Sequence, residues 1–288
     1  MSAARGLAER VGAAWPRYRR PVRDALILVG LVRAFVFFVI QGEHPWEFWG
    51  IDARAYWGID LAHPYAQSGV GELSTYLYSP AFAQLLAPFS ALPFEVFFLL
   101  WTAVSVAVLV WLVRPWPWVV PMLILPIVYE LCVGNIHFLL AAAFVAALRA
   151  PVAWAFPVLT KITPGVGWLW HPVRREWRAA AIAVGFTLAV VAVSYALNPT
   201  AWADWIALLT SSTGRTDLLL PRVVLAALLV GWGAWTGRPW VVAVAGWLAL
   251  PVIWVNSWVI LLAVIRLRDR VATPSLRQGA PALGTVPR

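Results

Sequence analysis

The chain has 288 residues, 62% of them hydrophobic and only 12% charged, with a mean hydropathy of +0.77 and a formal net charge of +9. A soluble domain carries about 25% charged residues. The composition therefore excludes a soluble enzyme, a disordered chain and a nucleic-acid module, and apolar runs long enough to cross a bilayer recur along the chain. The expected class is an all-α polytopic membrane protein, a bundle of about seven to ten transmembrane helices with a long first outer loop.

Residues 1–24 carry six arginines: Arg5, Arg10, Arg17, Arg19, Arg20 and Arg23. Arginine massed before an apolar run holds that end in the cytoplasm, so the N-terminus is expected inside. Residues 25–40 form the first span. The run is long for a cleaved signal, and VIQGEHP offers no small-x-small cleavage site, so the span is expected to be retained. Residues 41–79 form the longest polar loop. Glu43, Glu47, Asp52, Asp60 and Glu72 face Arg54 alone, a balance of −4, which assigns the loop to the outside. Its aromatics suit the headgroup region.

Residues 80–92 (PAFAQLLAPFSAL) are apolar but short, and they read as re-entrant or as a tilted short span. The re-entrant option is preferred. It places Arg114, Arg149 and Arg174–Arg178 inside, and it brings Asp52, Tyr78, Asn135, His137 and Lys161 to one side. Residues 93–113, 117–132 and 135–148 read as spans, the last two joined at Val133-Gly134. Residues 151–173 are interrupted at Lys161-Ile162-Thr163-Pro164. Residues 179–197 span, 198–217 form a second outer loop with a short interfacial helix, and 218–236 span. Residues 239–265 are broken around Pro251 and Asn256. The resulting organisation is a cytoplasmic Arg-rich start (1–24), a membrane domain (25–266) with the outer loop 41–79, and a polar tail (267–288) expected to be disordered and cytoplasmic.

Lys161 is the single lysine, inside an apolar segment. A charge at the bilayer centre costs roughly 2.5–3.5 kcal/mol on insertion scales. Two readings stand. The side chain snorkels to an interface, or it lines a polar cavity beside the Thr163-Pro164 break and holds a phosphate as a point charge. Asp52 and Tyr56 lie at i,i+4 spacing with Arg54 between them, which groups an acid, a base and an aromatic at the membrane surface. A carboxylate there can take a proton from a hydroxyl. Asp60 is a second acid on the same loop. Asn135 and His137 follow Gly134 at a span end, near Glu130. Arg33 lies in mid-span and is expected to pair with Glu95 or Glu130. Cys132 is alone, so no internal disulfide can form, and it reads as a small buried residue. Walker, GxGxxG, HExxH and GxSxG motifs are absent, and the acids form no cluster that demands a divalent metal.

Taken in order, these segments resemble the membrane glycosyltransferases of family 87, of the polyprenol-phosphate-dependent GT-C class. The resemblance rests on Asp52 to Tyr56, His63-Pro64-Tyr65 and Tyr76-Leu77-Tyr78-Ser79-Pro80. It continues through Gly134-Asn135-Ile136-His137, Lys161 to Pro164 and Arg174-Arg175-Glu176-Trp177, while the late Pro251 to Ser257 stretch departs from a Pro-x-x-Trp-x-His-like pattern in lacking the histidine. It implies inverting transfer of a hexose, typically mannose, from a polyprenyl-phosphate donor to a hydroxyl of a glycolipid or glycan acceptor, on the outer face of the cell membrane. The lipid-linked sugar is the substrate and no cofactor is implied. Asp52 would be the general base. Lys161 and Arg54 would hold the donor phosphate. Tyr56, Tyr78, Asn135, His137 and Asn256 would bind substrate. Partners would be the donor, the acceptor and membrane lipids, with no nucleic acid. A transporter or flippase, and an inactive lipid-binding scaffold, are the alternatives; broken helices at mid-membrane also occur in transporters.

Overall fold

The structure, a computed structural model, describes residues 2–66, 75–211 and 218–268, with side chains from residue 18 onward. Every regular element among the described residues is helical. Helix α1 (Ser2–Phe35) runs without a break from the Arg-rich start into the first apolar run and ends in a π-helical turn, Val36–Ile40. A 3-10 turn (Pro45–Phe48) then leads into α2 (Ile51–Trp57). The chain bends by 80° between Tyr18–Ile40 and Pro45–Trp57. Helix α2 therefore lies across the direction of α1.

Helix α3 (Pro80–Leu86) continues as a 3-10 turn, Ala87–Ala91. At about 1.5–2.0 Å of rise per residue this piece falls short of a hydrocarbon core of about 30 Å, in line with the re-entrant option. Helix α4 (Phe94–Val113) is followed by α5 (Val119–Met122), α6 (Ile124–Val133) and α7 (His137–Ala147). Next come a 3-10 turn (Pro151–Trp154), α8 (Ala155–Lys161), a second 3-10 turn (Thr163–Leu169) and α9 (Trp170–Val173). Helices α10 (Trp177–Leu197), α11 (Pro199–Ser211), α12 (Leu219–Thr236) and α13 (Val241–Leu248) lead to a 3-10 turn (Asn256–Leu262) and α14 (Ala263–Arg268). The tail from 269 lies outside the described residues, as do 67–74 of the outer loop and 212–217.

Among the described residues α4, α10 and α12 are each long and apolar enough to cross a bilayer, and the number rises to five if each of two bent pairs counts as one span. The all-α membrane class stands, with fewer clear spans than the expected seven to ten or so. The difference has a local cause. Gly134 adopts φ 72°, a left-handed cap on α6, and the chain turns through 107° between α6 and α7. The two expected spans at 117–132 and 135–148 are thus the arms of one sharp bend, each about half a bilayer long. Prolines and 3-10 turns likewise divide 151–173 and 239–265 into short pieces.

The exposed faces of α4, α10 and α12 carry Leu99, Val110, Leu188, Leu197, Leu220 and Leu228. Helices that are apolar outward as well as inward suit lipid surroundings. Helix α7 is buried over most of its surface, with Phe138, Leu140, Ala141, Phe144 and Ala147 fully enclosed. It packs against α4, α8, α13 and the Asn256–Leu262 turn, so the bend at Gly134 sits in the middle of the molecule. Helix α11 is the surface helix expected within 198–217. Its Trp205 indole donates to the Leu77 carbonyl (3.2 Å), and Asn198 just before it donates to Leu61 (2.9 Å), tying it to the outer loop. Two smaller expectations are corrected. Arg33 is exposed on α1 and pairs with neither Glu95, which is itself exposed, nor Glu130, whose carboxylate is bonded elsewhere. Cys132 is half-buried instead of buried.

Candidate active site

Helix α2 begins where α6 ends. The Gly50 N–H donates to the Cys132 carbonyl (2.8 Å), and Gly50 takes φ 66° to turn the chain into α2. Two residues on, at the cap of α6, Gly134 lies against Ala53. A Cβ at Gly134 would stand 2.8 Å from the Ala53 Cβ and 2.9 Å from the Phe98 ring. Both the left-handed backbone and the close approach require glycine. Gly134→Ala is therefore expected to destabilise the fold by about 2–4 kcal/mol, read as an earlier thermal transition in tryptophan fluorescence and as lost turnover.

This docking sets the half-buried Asp52 carboxylate against the turn after α6. Its Oδ2 accepts a 2.6 Å hydrogen bond from Asn135 Nδ2. The Asn135 Oδ1 accepts from the Ile136 N–H (2.7 Å), which fixes the amide so that its nitrogen faces Asp52. Behind it lies a buried cluster. Glu130 Oε1 accepts the His137 N–H (2.7 Å), and Oε2 meets both His137 Nδ1 (2.9 Å) and Asn256 Nδ2 (2.8 Å).

On the other side of Asp52, the Tyr56 and Tyr78 hydroxyls are 2.9 Å apart. Tyr65 donates to the Tyr78 carbonyl (2.7 Å), and Tyr76 donates to the Ser79 carbonyl (2.8 Å). The Ser79 N–H donates to the Leu159 carbonyl (3.2 Å), which lays the entry to α3 beside the end of α8. That end carries Lys161, whose Nζ lies 4.7 Å from the centre of the Tyr78 ring. The Lys161 ammonium is among the charges that act on Asp52. Immediately after it, Ile162 takes φ 58° and ψ −73°. A β-branched residue there stores about 1–3 kcal/mol of strain. The Thr163 hydroxyl, donating to the Ala249 carbonyl (2.5 Å), holds the reversal in place. The reversal stops α8 at Lys161, so the ammonium ends at a helix terminus.

Burial holds the Asp52 carboxyl above the ordinary carboxylate range, opposed by the Asn135 hydrogen bond and the Lys161 charge. Asp60 differs. It is exposed, accepts the Ala62 N–H (2.9 Å), and is held below that range by this bond. A carboxylate satisfied within its own surface turn is a weaker base than one shielded from water.

The structure thus brings together Asp52, Tyr56, Tyr78, Asn135 and Lys161. Arg54 is not with them. It stacks on Phe94, 3.8 Å from the ring centre, at the exposed side of α2. Two residues along a helix is roughly 200° around its axis, so Asp52 and Arg54 diverge. His137 and Asn256 lie behind Asn135 with their donors turned to Glu130. Sequence reading singled out none of Glu130, Tyr65 or Tyr76 as a site residue. The available signal for Glu130 was a carboxylate inside an apolar run. A surface hollow of about 510 Å³ is lined by Pro151, Arg175–Ala179 and Ile182, and by none of these residues.

The family model for glycosyltransferase family 87 matches residues 76–280. That stretch includes Tyr78, Glu130, Asn135, Lys161 and Asn256. No curated protein and no solved structure matches the chain.

Proposed function

This chain belongs to glycosyltransferase family 87 and is a membrane glycosyltransferase, and from that premise we propose that it moves a hexose from a polyprenyl-phosphate donor to an acceptor hydroxyl, with Asp52 as general base. The observation that carries this reading is the joint placement of Asp52 and Lys161 about Tyr78, a carboxylate and an ammonium that act on each other without a direct ion pair. A sugar with a departing phosphate needs these two charges on either side of it.

In the proposed step the acceptor hydroxyl gives its proton to Asp52 as its oxygen bonds to the anomeric carbon. The bond from that carbon to the phosphate oxygen breaks, and its electron pair leaves with the lipid phosphate. Negative charge grows on that oxygen, where Lys161 stabilises it. Attack from the face opposite the phosphate inverts the anomeric centre. Tyr56, Tyr78 and Asn135 hydrogen-bond around the sugar and the carboxylate. The motif resemblance makes mannose the sugar and a glycolipid or glycan the acceptor. The Arg-rich start, expected in the cytoplasm, supports a first loop and a site at the outer face of the cell membrane.

The test is transfer by the purified protein in lipid nanodiscs, from a labelled polyprenyl-phosphate hexose, with the product anomer assigned by NMR. Transfer with inversion is the expected result. Transfer from a nucleotide sugar alone would overturn the donor assignment. Lipid movement without transfer would favour a flippase.

The pH dependence has a definite sign. Asp52 accepts a proton in its ionised form alone, and burial raises its pKa. The rate is expected to fall as pH drops through a value above the ordinary carboxylate range of about 4. Asp60→Asn should leave that limb where it is.

A further inference from the structure

We propose that Glu130 is a positioning residue for the transfer, locking the turn 134–137 so that the Asn135 amide stays aimed at the Asp52 carboxylate. This rests on the reading of Asp52 as the base. The turn is held at both ends by one residue. At its start the Gly134 N–H donates to the Glu130 carbonyl (3.0 Å). At its end the His137 N–H donates to Glu130 Oε1. That N–H opens α7, and Ile136 before it, the cap residue, makes no side-chain hydrogen bond to the helix. Asn135 and Ile136 are what remains between the two anchors, and the Asn135 Oδ1 is already bonded to the Ile136 N–H. The Asn135 Nδ2 then has one direction left, toward Asp52 Oδ2 at 2.6 Å.

Glu130 is 1% exposed, and its hydrogen bonds come from His137 and Asn256. Burying a carboxylate costs several kcal/mol unless its oxygens are bonded. A stable fold alone would be served as well by an apolar residue in that place. What the carboxylate adds is reach. It joins α6 and α7, on either side of the bend, to the Asn256 turn some 120 residues further along the chain, at the point where α2 delivers Asp52. Leu or Met there would fill the space and leave the turn free to rotate.

Glu130→Gln tests this. The amide oxygen accepts, but the amide nitrogen donates, so the variant cannot accept from the His137 backbone, the His137 ring and Asn256 together. The expected result is a kcat lower by roughly a hundredfold, with the KM for a polyprenyl-phosphate hexose within about twofold of wild type. The acid limb of the rate should also move to lower pH. Burial raises Asp52 most, and the groups that act on it are the Asn135 amide, Lys161 from α8, Glu130 from α6 and His137 from α7, with the Tyr56 and Tyr78 hydroxyls nearby; the variant removes the Glu130 charge, which raises Asp52. A second readout needs no turnover. Dicyclohexylcarbodiimide labels protonated carboxyls, so mass spectrometry of Asp52 labelling against pH should show the same downward shift. Wild-type kcat and an unmoved limb in a folded Glu130→Gln protein would overturn the proposal. If that variant does not fold, Asn256→Ala keeps the charge and removes one donor. A loss of about tenfold in its kcat supports the proposal, and wild-type kcat overturns it. A labelling shift in a protein that transfers no sugar would keep the action of Glu130 on Asp52 and reject the transferase reading. Transfer by wild type with an unchanged variant would do the reverse.

Discussion

Asp52→Asn is expected to lower kcat by about a thousandfold, the range ascribed to a positioned general base. The substitution is close to isosteric. The new amide oxygen can still accept from Asn135 Nδ2, so α2 should remain docked on α6 through the Gly50 to Cys132 bond. The thermal transition should therefore hold while turnover disappears, and the KM for the donor should change little, because the lost interaction belongs to the acceptor's proton. Steady-state transfer in nanodiscs, set beside a tryptophan-fluorescence melt, separates the two effects. Asp60→Asn is the control. That carboxylate lies on the same loop but is exposed and bonded to its own turn, so its loss should cost no activity. If Asp52→Asn turned over at the wild-type rate, the base would have to be sought elsewhere.

Lys161→Met should carry the second largest effect, about a hundred- to a thousandfold in kcat, which is the scale of one lost charge-stabilising group. Methionine keeps most of the stem and its packing against Tyr78, and it removes a charge that is costly to bury. The protein should be no less stable than wild type. Lost turnover with an unchanged melt is therefore diagnostic. Donor affinity should fall as well, since the phosphate is negative before the reaction begins. Lys161→Arg should restore part of the rate, because it returns the charge but replaces a compact ammonium with a planar fork. Titration of a polyprenyl phosphate against the Met variant, followed by tryptophan fluorescence, checks the binding half. Unchanged affinity there would remove the phosphate role.

The bend at Gly134 decides both of these expectations, and it was legible as a joint in the chain but not as a change of direction. A Gly between two apolar runs marks a boundary. Whether the next run continues across the membrane or folds back depends on what covers the cap. Here it is covered by Ala53 and Phe98, residues of α2 and α4. Arg54 illustrates a different limit. Its charge and its place beside Asp52 suggested a shared phosphate site, but seven residues of helix carry the two side chains to different sides. Glu130 shows a third. A carboxylate in an apolar run calls for a partner, and Arg33, a cation in the middle of another apolar run, looked suitable. The partners are instead a backbone N–H, an imidazole and an amide.

Hydropathy and charge distribution are sums over neighbouring residues. They set the membrane class, the acid-rich loop, the surface helix near 198–217 and the order in which Asp52, Tyr78, Asn135 and Lys161 appear. Those features survive any arrangement of the helices. The convergence of the four side chains does not, because it depends on the angles at which short helices meet. Two left-handed glycines, a strained Ile162 and the enclosed α7 set those angles. Contacts of this kind form between residues some 80 positions apart, as Asp52 and Asn135 do, and close packing of the finished fold selects them.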